Sequence, residues 1–241
     1  MASSLSAHSM PETVLEALCL RDWSRCTSLL AAGDPYVAAP APGAAWHAIH
    51  RAIKCDAPVH VVSAILRANP AAAGYILADG RTPLHLAMEC GSDFPIVVAL
   101  LAAKRDAAKT RDGSGQLPLH AALRGGASFS VILSLLGAYP GAAAKADSGG
   151  DGDLPLHIAL RAGASTDAVH AVLAAHPAAA AVGSSAAVRE LPLHLAAANR
   201  APLAVIEALL LAHPAMLNKD MFRVFAAAAA LLWKLSRRSS R

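Results

Sequence analysis

Thr82-Pro83-Leu84-His85-Leu86-Ala87 is the stretch on which the fold turns. Proline in the second position suits the first turn of a helix, where its missing N–H would have no partner in any case. The stretch returns as Leu117-Pro118-Leu119-His120, Leu154-Pro155-Leu156-His157 and Leu191-Pro192-Leu193-His194, and Ala48-Ile49-His50 keeps its end. The histidines stand at 50, 85, 120, 157 and 194, so the steps are 35, 35, 37 and 37 residues. A period of this length marks stacked repeats, because one short unit cannot bury its apolar face alone.

The register extends past the motif. Two residues after each histidine there is an alanine (Ala52, Ala87, Ala122, Ala159, Ala196), and fifteen after it an aliphatic residue (Ile65, Leu100, Leu135, Val172, Leu209). Twenty after it stands Pro70, Pro140, Pro177 or Pro214, with Arg105 in the remaining unit. A step of 35 back from His50 reaches Leu15, with Ala17 and Pro35 in register, which adds a degenerate unit at the N-terminus and makes about six. Spacing from histidine to proline is constant, and spacing from proline to the next histidine is 15 or 17. Length change belongs in a solvent loop, so Ala78-Asp79-Gly80, Asp112-Gly113-Ser114-Gly115 and the run 147–153 read as turns. The constant part reads as two antiparallel helices, from about Pro83 to Cys90 and from about Phe94 to Ala103 in the third unit.

Composition agrees with thin helical layers. Of 241 residues 59 are alanine, and only 4% are aromatic, so the chain cannot fill one wide core. Mean hydropathy of +0.42 with 16% charged residues excludes intrinsic disorder as a class. Cys19, Cys26, Cys55 and Cys90 form no C-x-x-C pair and read as reduced, buried thiols. The uncharged run 168–188 is long enough to span a bilayer, but its histidines, Pro177, Gly183 and serines argue against it. No secretory signal opens the chain, and a cytoplasmic or nuclear location is expected.

These residues resemble the ankyrin repeat family: T-P-L-H-x-A opening a helix, a glycine break, V-x-x-L-L in a second helix, then an Asp-Gly turn. The resemblance covers about Glu12 to Leu217. It implies an all-α solenoid of stacked antiparallel helix pairs joined by turn or hairpin fingers, and a non-enzymatic scaffold that binds a protein partner through its concave first-helix and finger surface. Three departures stand out. The steps exceed the usual 33, which places the excess in longer fingers or a longer second helix. Leu117, Leu154 and Leu191 replace the threonine whose hydroxyl caps the helix, at a cost of about 1 kcal/mol each. Proline replaces the left-handed glycine after the second helix, so that helix must end on a different turn.

The histidine column invites a metal or catalytic reading. Packed helices lie about 8–10 Å apart, too far for neighbouring imidazoles to share an ion bound at about 2 Å. His50, His85, His120, His157 and His194 are therefore expected to be structural, joining backbone between units. No nucleophile elbow, phosphate loop or metal spacing is present in the sequence, so no cofactor, metal or small-molecule substrate is expected. The run from Asp147 to Asp153 lacks the closing glutamate of a calcium loop and reads as a solvated finger.

Partner-binding candidates follow from register. Lys54, Glu89, Arg124 and Arg161 stand four after the motif histidine, and Asp79, Arg81, Arg111, Gln116, Lys145, Asp151, Arg189 and Glu190 lie in the fingers. Charge of both signs favours a protein partner over nucleic acid. The expected organisation is a disordered N-terminus over 1–10, repeats over 11–217, and a capping helix with a basic tail over 218–241. Phe222, Phe225 and Trp233 leave a second reading open, a targeting or regulatory module anchored to a membrane or an enzyme by that segment.

Overall fold

The computed structural model describes residues 13–33, 47–148, 152–184 and 190–214. Among them are twelve α-helices in six pairs and no strand. The pairs are α1 (Val14–Cys19) with α2 (Trp23–Ala32), α3 (Ala48–Lys54) with α4 (Val59–Ala68), α5 (Pro83–Glu89) with α6 (Phe94–Ala103), α7 (Pro118–Arg124) with α8 (Phe129–Ala138), α9 (Pro155–Arg161) with α10 (Thr166–Ala175), and α11 (Pro192–Ala198) with α12 (Leu203–Ala212). The chain forms two compact units, residues 1–107 and 108–241. In the first, α1, α3 and α5 stack in one layer and α2, α4 and α6 in the other; in the second, α7, α9 and α11 stack, as do α8, α10 and α12. Each unit is an all-α repeat stack of the solenoid type.

Every second helix has 10 residues, so the change from 35 to 37 is not in the helices. It lies in the fingers. The amides of Leu77 and Asp112 donate to the carbonyls of Arg81 and Gln116, four residues on. Those of Asp147 and Ser184 reach Asp153 and Glu190, six on. The two extra residues enlarge the loop outside this hydrogen bond and leave the core spacing untouched.

α2 ends on left-handed Gly33, with φ 83°, but from α4 onward the second helices end alike whether or not proline follows. Asn69, Lys104, Tyr139, His176 and His213 are all extended, with φ between −140° and −149°. A 3₁₀ turn comes next at Pro70–Gly74, Arg105–Lys109, Pro140–Ala144 and Pro177–Ala181. Extended geometry is what proline imposes on its predecessor, and Lys104 before Arg105 adopts it too, so the path belongs to the repeat. Each turn buries two alanines, Ala72 and Ala73, Ala107 and Ala108, Ala142 and Ala143, Ala179 and Ala180. Within the units these turns pack on second helices, as Pro140–Ala144 does on α8 and α10, where only a methyl group fits between backbones.

First helices close through the alanine two residues after the histidine. The carbonyls of Ala17, Ala52, Ala87, Ala122, Ala159 and Ala196 each accept an amide five residues on, at 2.8–3.0 Å. The residue before that donor is left-handed: Gly91, Gly126 and Gly163 in three units, Arg21, Asp56 and Arg200 in the others.

Of the four thiols Cys26 is buried and Cys55 half-buried, but Cys19 and Cys90 are exposed, which corrects the expectation that all four are core residues. Cys19 ends α1 and Cys90 caps α5, where the chain turns outward. Burial pushes the Cys26 thiol up to about 11, so it is inert as a nucleophile. The expected N-terminal segment 1–10 and the capping helix over 218–241 lie outside the described residues, as do Asp151 and Arg189.

Candidate functional site

Each motif histidine occupies the third position of its helix, the place from which a capping-box side chain reaches back to the N-cap amide. Nδ1 accepts that amide from Thr82 at 3.3 Å, Leu117 at 2.9 Å, Leu154 at 3.2 Å and Leu191 at 3.3 Å. Nε2 of His120 stands 2.8 Å from the carbonyl oxygen of Lys145, and that of His157 stands 2.9 Å from Val182. A carbonyl only accepts, so Nε2 carries the proton and the ring is neutral. Burial holds both imidazoles below the usual histidine value. With both nitrogens engaged, neither ring is free to take a proton or a metal without breaking a backbone contact.

The leucine motifs replace the threonine hydroxyl by a backbone bond. The amides of His120, His157 and His194 donate to the carbonyls of Leu117, Leu154 and Leu191 at 2.9 Å, so no N–H is stranded. This offsets part of the cap loss expected from the sequence. At the N-terminus the same position is served by glutamate: α1 is one residue shorter, Glu16 is its third residue, and its carboxylate accepts from the Thr13 amide at 3.2 Å. Counted from the end of the helix Leu15 stands in the histidine's place; counted from the cap, Glu16 makes the bond.

His50 departs from the column in its neighbours. His47 is its N-cap, with ring centroids 5.4 Å apart, and Tyr75 lies 4.3 Å from His47. Burial, and then the His47 ring, push His50 down to about 4. Burial also lowers His47.

The charged candidates are drawn together by ion pairs inside each unit. In the first, Arg81 bridges Asp79 and Glu89, both at 2.6 Å. In the second, Arg161 pairs with Asp153 and stands 3.7 Å from Glu190, and Arg124 pairs with Asp147. Arg81 with Glu89, and Asp153 with Arg161, are the same two repeat positions with the charges exchanged, eight residues apart. Arg111 ties two fingers together, donating to the carbonyls of Gly115 and Ala146 and to Ser148 Oγ. The Asp112 carboxylate accepts the Gln116 amide at 2.8 Å, and Ser184 Oγ accepts the Glu190 amide at 3.0 Å. Lys54 and Lys145 are exposed.

Two of these contacts correct the sequence reading. Asp147 is 0% exposed and Asp153 2%, so the run between them does not start and end in solvent. Asp153 stands directly before its helix motif, a place that Arg81 holds one unit pair earlier, and this shared register is the signal that was there to be read. Among the described residues no group of three or more His, Cys, Asp or Glu side chains could hold a metal ion. No helix among them is long and apolar enough to cross a membrane.

Stacked helix pairs, a recurring imidazole brace and polar fingers define a helical repeat protein. Residues 49–143 match the model for ankyrin repeats, in three copies, and that stretch is an ankyrin repeat array. The units carrying His157 and His194 repeat the same bonds outside the matched stretch. No curated protein matches the chain.

Proposed function

We propose that the chain is a non-enzymatic scaffold that recognises a protein partner along its first-helix and finger edge, the surface that is concave in this family. Ankyrin repeats generally serve as protein-interaction modules. The observation that carries the reading is the set of ion pairs joining first-helix ends to fingers. They hold long charged side chains in fixed positions before any partner arrives, which reduces the entropy lost on binding. His120 and His157, by contrast, are turned inward with both ring nitrogens occupied.

Lys54 and Lys145 are the cleanest probes, since they are exposed and lie on a first-helix end and a finger. Charge reversal at Arg124 or Arg161 would instead strand the buried Asp147 or Asp153 and confuse binding with folding. Affinity capture from an extract of the source cells, with wild type beside Lys54→Glu and Lys145→Glu, tests the proposal. A protein retained by wild type and weakened by a variant of unchanged melting temperature supports it. Retention that both variants leave untouched overturns it.

A further inference from the structure

The arginines of the helix and finger edge are not equivalent. Arg81 stands between the carboxylates of Asp79 and Glu89, Arg124 meets Asp147, and Arg161 meets Asp153 and Glu190. Arg111 is exposed and, among the described residues, meets neutral oxygens alone: the carbonyls of Gly115 and Ala146, and Ser148 Oγ. Such oxygens orient a guanidinium without cancelling its charge. Ser148 Oγ in turn donates to the Gly115 carbonyl at 3.2 Å, so two neighbouring fingers hold Arg111 in one place.

The sharing of these bonds fixes what is left over. Nη1 and Nη2 both reach the Ala146 carbonyl, at 3.1 and 3.2 Å, and Nη1 also serves Gly115 and, at 2.8 Å, Ser148. A guanidinium has five N–H donors in one plane, and those spent here lie at its tip and on its Nη1 side. The Nε–H and the outer Nη2–H remain, parallel and side by side, at the spacing of two carboxylate oxygens. Asp112, the adjacent acid, is turned to its own loop, where Oδ1 accepts the amides of Ser114 and Gln116 at 2.9 and 2.8 Å. Lys145, next to Ala146 along the chain, is exposed and brings a second cation. In register the units of His50 and His157 place Ile76 and Gly183 where Arg111 stands, and Tyr75 and Val182 where Lys145 stands.

We propose, resting on the finger edge as the partner surface, that Arg111 and Lys145 receive an acidic segment of the protein partner, one carboxylate docking on the Nε–H and Nη2–H of Arg111. Charge complementarity selects this occupant. A guanidinium already held in place loses little entropy when it is bound. Phosphorylated and nucleic-acid ligands are met by arginine clusters or long basic stripes, and two cations form neither.

Fluorescence anisotropy tests this with a labelled peptide of alternating Glu and Ser residues, titrated with the full chain at low salt. Expected is saturable binding, weakened on the order of fivefold by Arg111→Lys, which keeps the charge and loses the fork, and similarly by Lys145→Gln. Arg67→Gln, at an exposed arginine of α4, should bind as wild type does. Lys145→Gln carries the test if Arg111→Lys alters the melting temperature. No binding by wild type, equal loss with Arg67→Gln, or full affinity in Arg111→Lys overturns the proposal. So does binding of a phosphoserine peptide or an RNA oligonucleotide where the Glu peptide fails, which assigns the fork to phosphate. A captured partner separates the two levels: affinity lowered by Lys54→Glu but not by Arg111→Lys sinks the carboxylate fork alone. Indifference to Lys54→Glu, Lys145→Glu and Arg111→Lys together sinks the finger edge with it.

Discussion

His120 spans the chain from the amide of Leu117 to the carbonyl of Lys145, accepting the one at Nδ1 and donating to the other from Nε2 at 2.8 Å. One ring thereby caps its own helix and holds the segment that follows the next 3₁₀ turn. Replacing it by alanine strands a buried N–H and a carbonyl together. His120→Ala should cost about 2–4 kcal/mol in urea unfolding, with far-ultraviolet helicity retained under native conditions. Imidazole ¹⁵N spectra of wild type should show His120 and His157 protonated at Nε2 alone and unmoved by zinc; a shift on adding zinc would return these rings to the list of ligands.

The same tautomer sets a pH dependence. His50, His120 and His157 are held below the unfolded value of about 6.5, so the unfolded chain binds more protons as pH falls. Their stabilisation is complete above pH 7 and is lost downward through 6.5, for His50 until about 4. Each ring that stays neutral in the folded state contributes a slope of up to about 1.4 kcal/mol per pH unit. Asp79, lowered by its Arg81 partner, enters only below its ordinary value near 3.8, outside that window. Unfolding curves at pH 7.5, 6.0 and 5.0 should show falling stability; a flat profile contradicts the neutral brace.

The Arg124 and Asp147 pair should be asymmetric. Asp147 is fully buried and Arg124 is 38% exposed. Arg124→Ala leaves an unpaired buried carboxylate and should cost about 1–3 kcal/mol, less than a wholly buried pair because the arginine meets water. Removing both charges, as in Arg124→Ala with Asp147→Ala, should cost less than Arg124→Ala alone. Chemical denaturation of the two variants beside wild type decides it.

Arg200 and Asp56 hold left-handed backbone with φ of 53° and 58°, where three other units place glycine. Arg200→Gly and Asp56→Gly should each stabilise by roughly 0.5 kcal/mol, the relief of a strained side chain less the added chain entropy. Gly126→Ala, at φ 67°, should destabilise by about 1 kcal/mol. Thermal melts separate these signs.

Local features were legible in the sequence. The motif Thr82-Pro83-Leu84-His85 marks a helix start by itself, and α5 and α6 begin at Pro83 and Phe94 as its spacing implies. The turn after the second helix was not legible, because proline excludes one geometry without naming another; the extended Tyr139 and its 3₁₀ turn answer that. Asp147 and Asp153 were misjudged for a related reason. A carboxylate among glycines reads as solvated unless its cation is known to lie beside it, and Arg124 stands 23 residues away. Glu16 was passed over because the shorter α1 shifts its cap by one position against the repeat.

The central claim is that recognition resides on the first-helix and finger edge and leaves the outer faces of the second helices idle. The dissociation constant of a captured partner tests it most directly, measured for wild type, Lys54→Glu, Lys145→Glu, Val98→Glu and Leu133→Glu. Val98 and Leu133 are exposed apolar residues on α6 and α8. The account predicts that at least one lysine reversal weakens binding on the order of tenfold or more, about 1.4 kcal/mol, while the two second-helix variants bind as wild type does. Binding lost with Val98→Glu or Leu133→Glu, and untouched by both lysine reversals, would contradict it.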